Sequence, residues 1–439
     1  MNWLYLLGVL VFVVGLLVAI GLHEIGHLVP AKRFGVRVTQ YMIGFGPTAW
    51  SRKVGETEYG IKWIPLGGYI RMIGMFPPGK DGRLRDSSTG PFRSMVDEAR
   101  AVSLREVGPN DEDRVFYRKP WWQKVIIMTG GPFMNFVQAF ILFAIVLMGF
   151  GVATLNTTVA SVPECVLTVA EAQTRTDPTT GELECRPTDA ASPAAEAGLR
   201  PGDEILSVAG VAASDWQTVS STIRAHGDET VDVVVRRDGQ ELTLSAALIT
   251  SERPSLDDPD TLVPVGYLGI SPSEELVRQP ITAVPAQMWD FTKNTAVAII
   301  SIPQRMVGVW QAAFGGGERD LEGPIGIVGA GRIGGEFVSS DSFATQEKVA
   351  SMLALVASLN MALGVFNLLP LLPLDGGHIA GALYEAARRG VARVFRRPDP
   401  GYFDVAKLLP VAYAVAILVI GMSALLLYAD IVNPVKLPL

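Results

Sequence analysis

The residues best suited to chemistry in this chain are His23, Glu24 and His27, which stand in the order His-Glu-Ile-Gly-His. Two histidines four residues apart lie on one face of an α-helix and can bind the same metal ion. The glutamate between them then lies beside a water molecule on the metal, where a carboxylate acts as a general base. This spacing predicts a zinc hydrolase. The alternative is a pair of histidines with a structural role only.

The metal motif follows directly on a long apolar stretch. Residues 3–20 include no charged side chain, and a helix of this length can cross a bilayer. A cleaved signal peptide would need a basic N-terminal region, which residues 1–22 lack, and a small-residue cleavage site. Ionisable residues at membrane depth are costly and are functional by default. The motif is therefore predicted to lie inside a membrane or at its edge.

The composition indicates a membrane protein with several spanning helices. Of the 439 residues, 49% are hydrophobic and only 18% are charged, which is unusual for a soluble protein. Further apolar runs near residues 125–150, 352–372 and 408–428 bring the number of candidate spans to four. The net charge of −7 and the lack of a basic tail argue against nucleic acid as a partner. The lipid bilayer is the predicted environment and partner.

Lysine and arginine residues predict the orientation of the spans. They are frequent in residues 32–124, between spans one and two, and in residues 388–397, between spans three and four. The positive-inside rule assigns both segments to the cytoplasm, so the segment between spans two and three is predicted to be outside. Residues 295–314 are also apolar, but Pro303 and Arg305 interrupt their centre. This stretch is predicted to be an amphipathic surface helix and not a fifth span.

The outer segment carries both cysteines of the chain, Cys165 and Cys185. Outside the cytoplasm a lone pair is expected to form a structural disulfide, and no Cys-x-x-Cys spacing indicates metal or redox chemistry. A small domain is predicted to begin at Ser192. It is expected to contain a helix at 216–225 and two strands, 231–236 and 241–246, joined by an Asp-Gly turn.

A catalytic zinc needs a third protein ligand, and Asp375 is the strongest candidate. It follows the sequence Asn367-Leu-Leu-Pro370-Leu-Leu-Pro373-Leu at the predicted end of span three. The prolines break the helix, and the two glycines after Asp375 allow the backbone to approach a neighbouring helix closely. A plain turn that ends the helix is the alternative.

The predicted depths of the two motifs agree. His23 lies roughly 30 Å beyond Trp3 at about 1.5 Å per residue, near the inner edge of the hydrocarbon. Asp375 lies a similar distance along span three, which runs parallel to span one if there are four spans. A fifth span at 295–314 would place Asp375 on the opposite side. His378 is interpreted as an exposed residue of the cytoplasmic turn, with a fallback ligand or a partner of the ligands as the alternative.

The chain resembles the bacterial site-2 proteases, which are intramembrane zinc metalloproteases of the cell membrane. The resemblance covers nearly the whole chain and rests on four features in order: His-Glu-x-x-His in the first span, Gly-Gly-Pro-x-x-Asn at 130–135, an external PDZ-like domain, and Asn-x-x-Pro-x-x-Pro-x-Asp-Gly at 367–376. It implies zinc bound by His23, His27 and Asp375, with Glu24 as the general base. It also implies cleavage within the transmembrane helix of a single-pass protein, typically an anti-sigma factor or a remnant signal peptide.

The same resemblance gives a role to residues 36–75. Apolar strand patterns punctuated by Gly44, Gly46, Gly67 and Gly68 flank a charged turn in this segment. In site-2 proteases such a segment dips into the membrane as a β-sheet beside the zinc, where an edge can pair with an extended substrate. The four glycines are therefore implied substrate-binding residues. Without the resemblance, a cytoplasmic hairpin is expected.

Two departures limit what the resemblance implies. Many relatives have two asparagines five residues apart in span three, but Ala362 occupies the first position here and Asn360 lies two residues earlier. Only Asn367 matches the asparagine pattern of these relatives. Its amide is expected either to bind the substrate backbone or to join two helices by a hydrogen bond. Several relatives also carry tandem PDZ domains, whereas one copy is recognisable here.

The predicted fold class is a polytopic α-helical membrane protein with four transmembrane helices, a membrane-associated β segment and an extracytoplasmic PDZ-like α/β domain. The predicted order is a first transmembrane helix (1–28), the β segment (29–124), a second transmembrane helix (125–150), the PDZ-like domain with its cysteine-bounded insert (151–275), amphipathic linker helices (276–350), a third transmembrane helix (351–375), a basic loop (376–407) and a fourth transmembrane helix (408–430). A hydrolase of soluble substrates would carry the metal motif in a polar domain, and a silent scaffold would lack one of its catalytic residues. Neither description fits this sequence.

Overall fold

The computed structural model describes residues 2–78, 100–101, 103, 105, 107–176, 183–256, 261–317, 319–320 and 323–435. The chain forms two compact units. The first comprises Met1–Phe150 together with Gln279–Leu439, and the second comprises Gly151–Arg278.

The regular elements follow one another in this order: α1 (Trp3–Arg33), β1 (Val38–Val54), β2 (Thr57–Met72), α2 (Trp121–Ala144, continued by a π-helical turn at Ile145–Phe150), β3 (Val152–Ser161), β4 (Cys165–Val166), α3 (Val169–Arg175), β5 (Ala190–Ala191), α4 (Pro193–Glu196), β6 (Glu204–Val208), β7 (Val211–Ala212), α5 (Trp216–Ala225), β8 (Thr230–Arg237), β9 (Gln240–Ala247), β10 (Ile249–Pro254), β11 (Leu262–Tyr267), β12 (Ser271–Val277), α6 (Ala283–Phe314), α7 (Ile327–Ser339), α8 (Thr345–Asn367), α9 (Asp375–Val394) and α10 (Leu409–Val432). Short 3-10 turns lie at Glu112–Arg114, Phe116–Arg118 and Val405–Leu408.

Four helices of the first unit are long and apolar enough to cross a membrane. They lie at Trp3–Arg33, Trp121–Phe150, Thr345–Asn367 and Val405–Val432, so the four predicted spans are present as helices. Helix α6 is also long, but it does not belong to the four candidate spans found in the described part of the chain. Helices α6 and α7 lie within residues 276–350, for which an amphipathic linker is predicted, while residues 276 and 277 belong to β12 and residues 345–350 belong to α8.

The segment after span three differs from the predicted one. Residues 375–394 form helix α9, where a basic loop was expected, and the third span already ends at Asn367. The reason lies in composition, because this stretch contains five alanines and three arginines, which favour helix. Ala382 and Glu385, one turn apart, are both buried, so the helix has an inward face. Asp375 is consequently the first residue of a helix and not the last residue of a span.

Strands β1 and β2 form the predicted antiparallel β segment, and each strand bends back on itself. Residues 40–43 of β1 pair with residues 58–61 of β2 on one side and with residues 68–71 on the other. The sheet therefore has residues 68–72 along one edge. The Tyr41 hydroxyl donates a hydrogen bond of 2.8 Å to the Gly21 carbonyl of α1, which holds the sheet against the helix that carries the metal motif.

The second unit is built on a six-stranded sheet with the order β12-β3-β6-β8-β9, in which β7 also pairs with β6. The predicted helix at 216–225 and the predicted strands around the Asp-Gly turn are confirmed as α5, β8 and β9. Alternate residues of β8 are buried, as expected for a strand with one face on a core. Cys165 and Cys185 are joined by a disulfide with their Cα atoms 5.7 Å apart.

A buried ion pair stabilises this second unit. Both carboxylate oxygens of Asp203, which is 1% exposed, accept hydrogen bonds of 2.7 Å from the Arg237 guanidinium. The Arg200 amide donates a third, of 2.8 Å. The hydrogen bonds from Arg237 hold the pKa of Asp203 below its usual range, although burial opposes them.

We expect Asp203→Asn to lower the free energy of unfolding of this unit by about 2 kcal/mol, because the variant loses a charge-assisted bidentate pair. A carboxylate whose pKa is lower in the folded state than in the unfolded state stabilises the fold above its unfolded pKa of about 4. This stabilisation is lost as the pH falls below that value. The difference between wild type and variant should therefore shrink below about pH 4. Hydrogen exchange of the β8 and β9 amides measures this effect. The exposed pair of Glu204 and Arg236 provides the control, and an equal loss in Glu204→Gln would contradict the assignment.

Candidate metal centre

The metal motif lies where helices α1 and α2 touch backbone to backbone. A Cβ atom on Gly26 would lie 2.1 Å from the Gly130 carbonyl oxygen, and one on Gly130 would lie 2.0 Å from the Gly26 carbonyl oxygen. Only glycine permits this approach, since Cβ atoms do not come so close to other atoms. The contact brings the face of α2 that carries Gly131 and Asn135 against His23 and His27.

Asp375 reaches the same place from the turn after α8. Leu368–Leu374 separate the end of α8 from Asp375, the first residue of α9. Cβ atoms on Gly376 and Gly377 would lie 2.2 Å from the Leu369 carbonyl oxygen and 2.7 Å from the Leu372 nitrogen. The two glycines therefore let the turn fold tightly against the start of α9, as their presence after Asp375 suggests.

Three ligand atoms converge with the spacing of a tetrahedral metal site. The Nε2 atoms of His23 and His27 are 3.2 Å apart, and each lies 3.3 Å from Oδ2 of Asp375. Bonds of about 2.0–2.2 Å to a tetrahedral zinc separate its ligand atoms by about 3.3–3.6 Å. Among the described residues, this is the one group of three or more histidine, cysteine or acidic side chains that could bind a metal.

Two further observations fit a metal ion at this point. Oδ2 of Asp375 is buried, yet no ordinary hydrogen-bond donor satisfies it in the described structure. A Cβ atom on Gly131 would lie 2.2 Å from Nε2 of His27 and 2.6 Å from Nε2 of His23, so this glycine leaves open the space beside the ligand atoms. The residues present therefore suit Zn²⁺, which requires a charged carboxylate and neutral imidazoles.

Neighbouring groups orient both imidazole rings. Nδ1 of His27 lies 2.7 Å from the Ile127 carbonyl oxygen, to which it must donate, so its Nε2 is free for the metal. Nδ1 of His23 lies 3.1 Å from the side-chain amide of Asn135, which is 1% exposed. If His23 binds metal through Nε2, its Nδ1 carries the proton and must donate it in a hydrogen bond. The amide oxygen of Asn135 can accept this bond, and that oxygen has no other partner among the described residues. Asn135 is therefore placed to orient the ring of His23, a role that the Gly-Gly-Pro-x-x-Asn motif alone did not indicate.

We expect Asn135→Ala to reduce zinc affinity by about 10–100-fold, because the loss of a group that orients a ligand has this effect in metal sites. Asn135→Asp should retain tight binding, since a carboxylate accepts the same hydrogen bond from His23. Competition with a fluorescent zinc chelator measures both affinities. Equal affinity of wild type and Asn135→Ala would show that Asn135 does not position His23.

Glu24 lies between the metal ligands and the edge of the β segment. It is 8% exposed, and its carboxylate lies near the backbone amide of Ile70. A Cβ atom on Gly68 would lie 2.9 Å from Cγ of Glu24, so the absence of a side chain there makes room for the glutamate. The edge of β2 therefore faces the metal ligands.

A cavity of about 410 Å³ joins the metal residues to the β segment. His23, Glu24, His27 and Asp375 line it, together with three of the predicted substrate-binding residues, Asn367, Gly67 and Gly68. Gly44 and Gly46, also predicted to bind substrate, do not line this cavity. Both have positive φ angles and lie against Ile64, where β1 and β2 bend. His378 lines the cavity as well, so its interpretation as an exposed turn residue is wrong.

The site has the parts of a metallohydrolase. Two histidines and one aspartate surround one metal position, and a carboxylate lies beside them in a cavity open to a substrate. Three protein ligands leave a fourth position for water, as in catalytic zinc sites. Because α1 is apolar enough to span a bilayer, the fold and the site define a metallohydrolase of the membrane.

Comparison with known proteins gives the family. The chain belongs to peptidase family M50, whose model matches residues 11–396. It is 32% identical to zinc metalloprotease Rip1 of Mycobacterium tuberculosis strain H37Rv over 99% of each chain. It is 28% identical to metalloprotease MmpA of Caulobacter vibrioides over 88% of this chain and 89% of the relative. It is 27% identical to the regulator of sigma-W protease RasP of Bacillus subtilis, over 83% of this chain and 87% of the relative.

The family confirms the resemblance to the site-2 proteases and settles the class of chemistry. The protein is a zinc metalloprotease with a Zn²⁺ cofactor, and it belongs to a family that acts in intramembrane proteolysis. Its four apolar helices make it a multi-pass membrane protein.

Proposed function

We propose that this protein hydrolyses a peptide bond within the transmembrane segment of single-pass membrane proteins of the bacterial cell membrane. Anti-sigma factors and remnant signal peptides are the proposed substrate classes. The observation that carries the proposal is the position of Glu24, which lies on a membrane-spanning helix between the metal ligands and a sheet edge. The relative RasP is named a regulator of sigma-W protease, and this name supports the anti-sigma factor class by analogy.

The proposed reaction assigns a separate task to each part of the cavity. Zn²⁺ bound by His23, His27 and Asp375 supplies Lewis acidity toward the scissile carbonyl and lowers the pKa of water. Glu24 removes a proton from the attacking water as the C–O bond forms, and it delivers this proton to the leaving nitrogen as the C–N bond breaks. The metal ligands themselves stay deprotonated and hold the reacting atoms in place.

The substrate helix must unwind before its backbone can enter the cavity. Its freed amide and carbonyl groups then need partners, since unpaired backbone groups are costly in a membrane. The edge of β2 at Gly67 and Gly68 provides such partners by strand addition. Asn367, the last residue of α8, lines the cavity, and its amide has no hydrogen-bond partner among the described residues. We assign it to the substrate backbone.

The membrane orientation follows from charge. Residues 32–124 and 388–397 are rich in lysine and arginine, and we place both on the cytoplasmic side. The unit at 151–278 is then extracytoplasmic, where the disulfide between Cys165 and Cys185 is stable. We interpret this unit as a PDZ-like domain on the basis of its strands and of helix α5.

Co-expression with single-pass anti-sigma factors tests the proposed function. Mass spectrometry of the products should locate the cut inside the transmembrane segment, and the Glu24→Gln variant should give no product. A cut confined to the soluble part of every substrate would overturn the proposal that the enzyme acts within the membrane.

We further propose that the unit at 151–278 gates substrate entry and takes no part in the chemistry. All residues that line the metal cavity belong to the other unit. We expect a variant with a Gly/Ser linker in place of 151–278 to cut a pre-trimmed substrate at the wild-type rate and to cut an untrimmed substrate that wild type leaves intact. Both substrates are assayed beside Glu24→Gln. Loss of cleavage of the trimmed substrate by a well-folded deletion variant would reject the gating role.

A further inference from the structure

His378 also lines the cavity, but it has no role in the reaction proposed above. It follows Asp375 by three residues on α9, so the two side chains lie on the same face of the helix. It lines the same cavity as Glu24 and Asn367. A residue that lines this cavity can contact a substrate bound in it.

The imidazole of His378 has no hydrogen-bond or ion-pair partner among the described residues, and its Nδ1 atom is buried. The other three histidines of the chain differ in this respect. Nδ1 of His27 faces the Ile127 carbonyl, Nδ1 of His23 faces Asn135, and Nδ1 of His226 lies 2.7 Å from the Thr222 carbonyl oxygen. A buried polar atom without a partner is costly. The absence of a protein partner indicates that the ring is available to a group that arrives with the substrate.

His378 is not placed as a fourth metal ligand. The atoms of His23, His27 and Asp375 that could hold one ion lie within 4.8 Å of one another, and His378 does not belong to that group. A fourth ligand would lie about 3.3–3.6 Å from each of the others. The ring therefore lines the cavity without belonging to the group of metal ligands.

We propose that His378 donates a hydrogen bond to the scissile carbonyl oxygen as that oxygen gains negative charge, which makes it a catalytic residue. The proposal rests on the proposed function of the cavity. Water adds to the carbonyl carbon as Glu24 takes its proton, and the carbonyl oxygen receives the displaced electron pair. When the C–N bond breaks, that pair returns to the carbonyl and the nitrogen receives the proton from Glu24. His378 keeps its own proton throughout and stabilises only the charged oxygen.

Removal of one such donor lowers kcat by about 10²–10³-fold in other hydrolases, because the donor acts mainly in the transition state. The full-length zinc-loaded enzyme in liposomes provides the test, with a single-pass peptide substrate and the variants His378→Ala and His378→Gln. Arg393→Gln, an exposed position on the same helix, is the matched control. We expect His378→Ala to retain about one zinc per chain and the wild-type KM but to lose about 10²–10³-fold in kcat. His378→Gln, which keeps an N–H donor, should recover part of that loss.

A phosphinic peptide, which mimics the tetrahedral transition state, separates a direct role from a structural one. It should bind His378→Ala more weakly by a factor similar to the loss in kcat, while the substrate itself should bind unchanged. Loss of zinc in His378→Ala, a kcat within threefold of wild type, or unchanged phosphinic peptide affinity would each overturn the proposal. Wild type and Glu24→Gln are assayed alongside on soluble and membrane substrates. Failure of wild type on the membrane substrate would reject the proposed function, and the comparison of variants on the soluble substrate would still test His378.

Discussion

Glu24→Gln is expected to abolish proteolysis while leaving about one zinc ion per chain. Glutamine has nearly the size of glutamate but cannot accept a proton from water, so the variant loses the general base and keeps all three ligands. General-base catalysis contributes about 10²–10⁴-fold in rate, which would bring cleavage below detection in most assays. Zinc content by plasma mass spectrometry and cleavage of a single-pass substrate, measured on the same preparation, test both halves of the prediction.

The ligand variants provide the complementary result. His23→Ala and Asp375→Ala should lose activity together with metal, because each removes one of three ligand atoms. Glu112→Gln, at a carboxylate that is 73% exposed, controls for the general effect of changing a glutamate. Full zinc content and full activity in Asp375→Ala would show that the three-ligand assignment is wrong.

Gly131→Ala is expected to eliminate zinc binding although it changes a single hydrogen to a methyl group. The new Cβ atom would lie 2.2 Å from Nε2 of His27 and 2.6 Å from Nε2 of His23, which is close to the zinc–nitrogen distance of about 2.0–2.1 Å. The methyl group and the metal would therefore compete for the same space. Because alanine favours helix more than glycine does, α2 itself should remain folded.

Zinc content and thermal unfolding of the purified variant test this prediction. Gly149→Ala is the matched control, because a Cβ atom at Gly149 meets nothing within 4 Å on the same membrane-spanning segment. We expect Gly149→Ala to bind zinc and cleave substrate like wild type. A Gly131→Ala protein with one zinc per chain and wild-type activity would refute the close approach of α2 to the ligands.

The convergence of His23, His27 and Asp375 could be inferred from the sequence because the three residues lie in short local patterns. His23 and His27 are spaced for one helix face, and Asp375 lies between helix breakers and glycines. The roles of Gly131 and Asn135 could not be inferred in the same way. Both depend on how closely α1 and α2 approach at Gly26 and Gly130, which is a tertiary contact.

The same limit explains the misplaced elements. The prolines before Asp375 correctly predict the end of a helix, but a new helix begins at once with Asp375. His378 therefore points into the cavity, because helix α9 places it on the face of Asp375. In the β segment, the strand patterns were visible, yet the bend that pairs residues 40–43 with both arms of β2 depends on Gly44 and Gly46 at positive φ.

X-ray absorption at the zinc edge of the purified wild-type protein tests the central claim most directly. The claim is that one zinc ion is bound by two imidazoles and one carboxylate, at His23, His27 and Asp375. We predict one zinc per chain with a first shell of nitrogen and oxygen at about 2.0–2.2 Å and outer-shell scattering from two imidazole rings. The Asp375→Ala variant should lose this signal together with its metal. Sulfur in the first shell, scattering from three imidazoles, or an unchanged spectrum in Asp375→Ala would contradict the account.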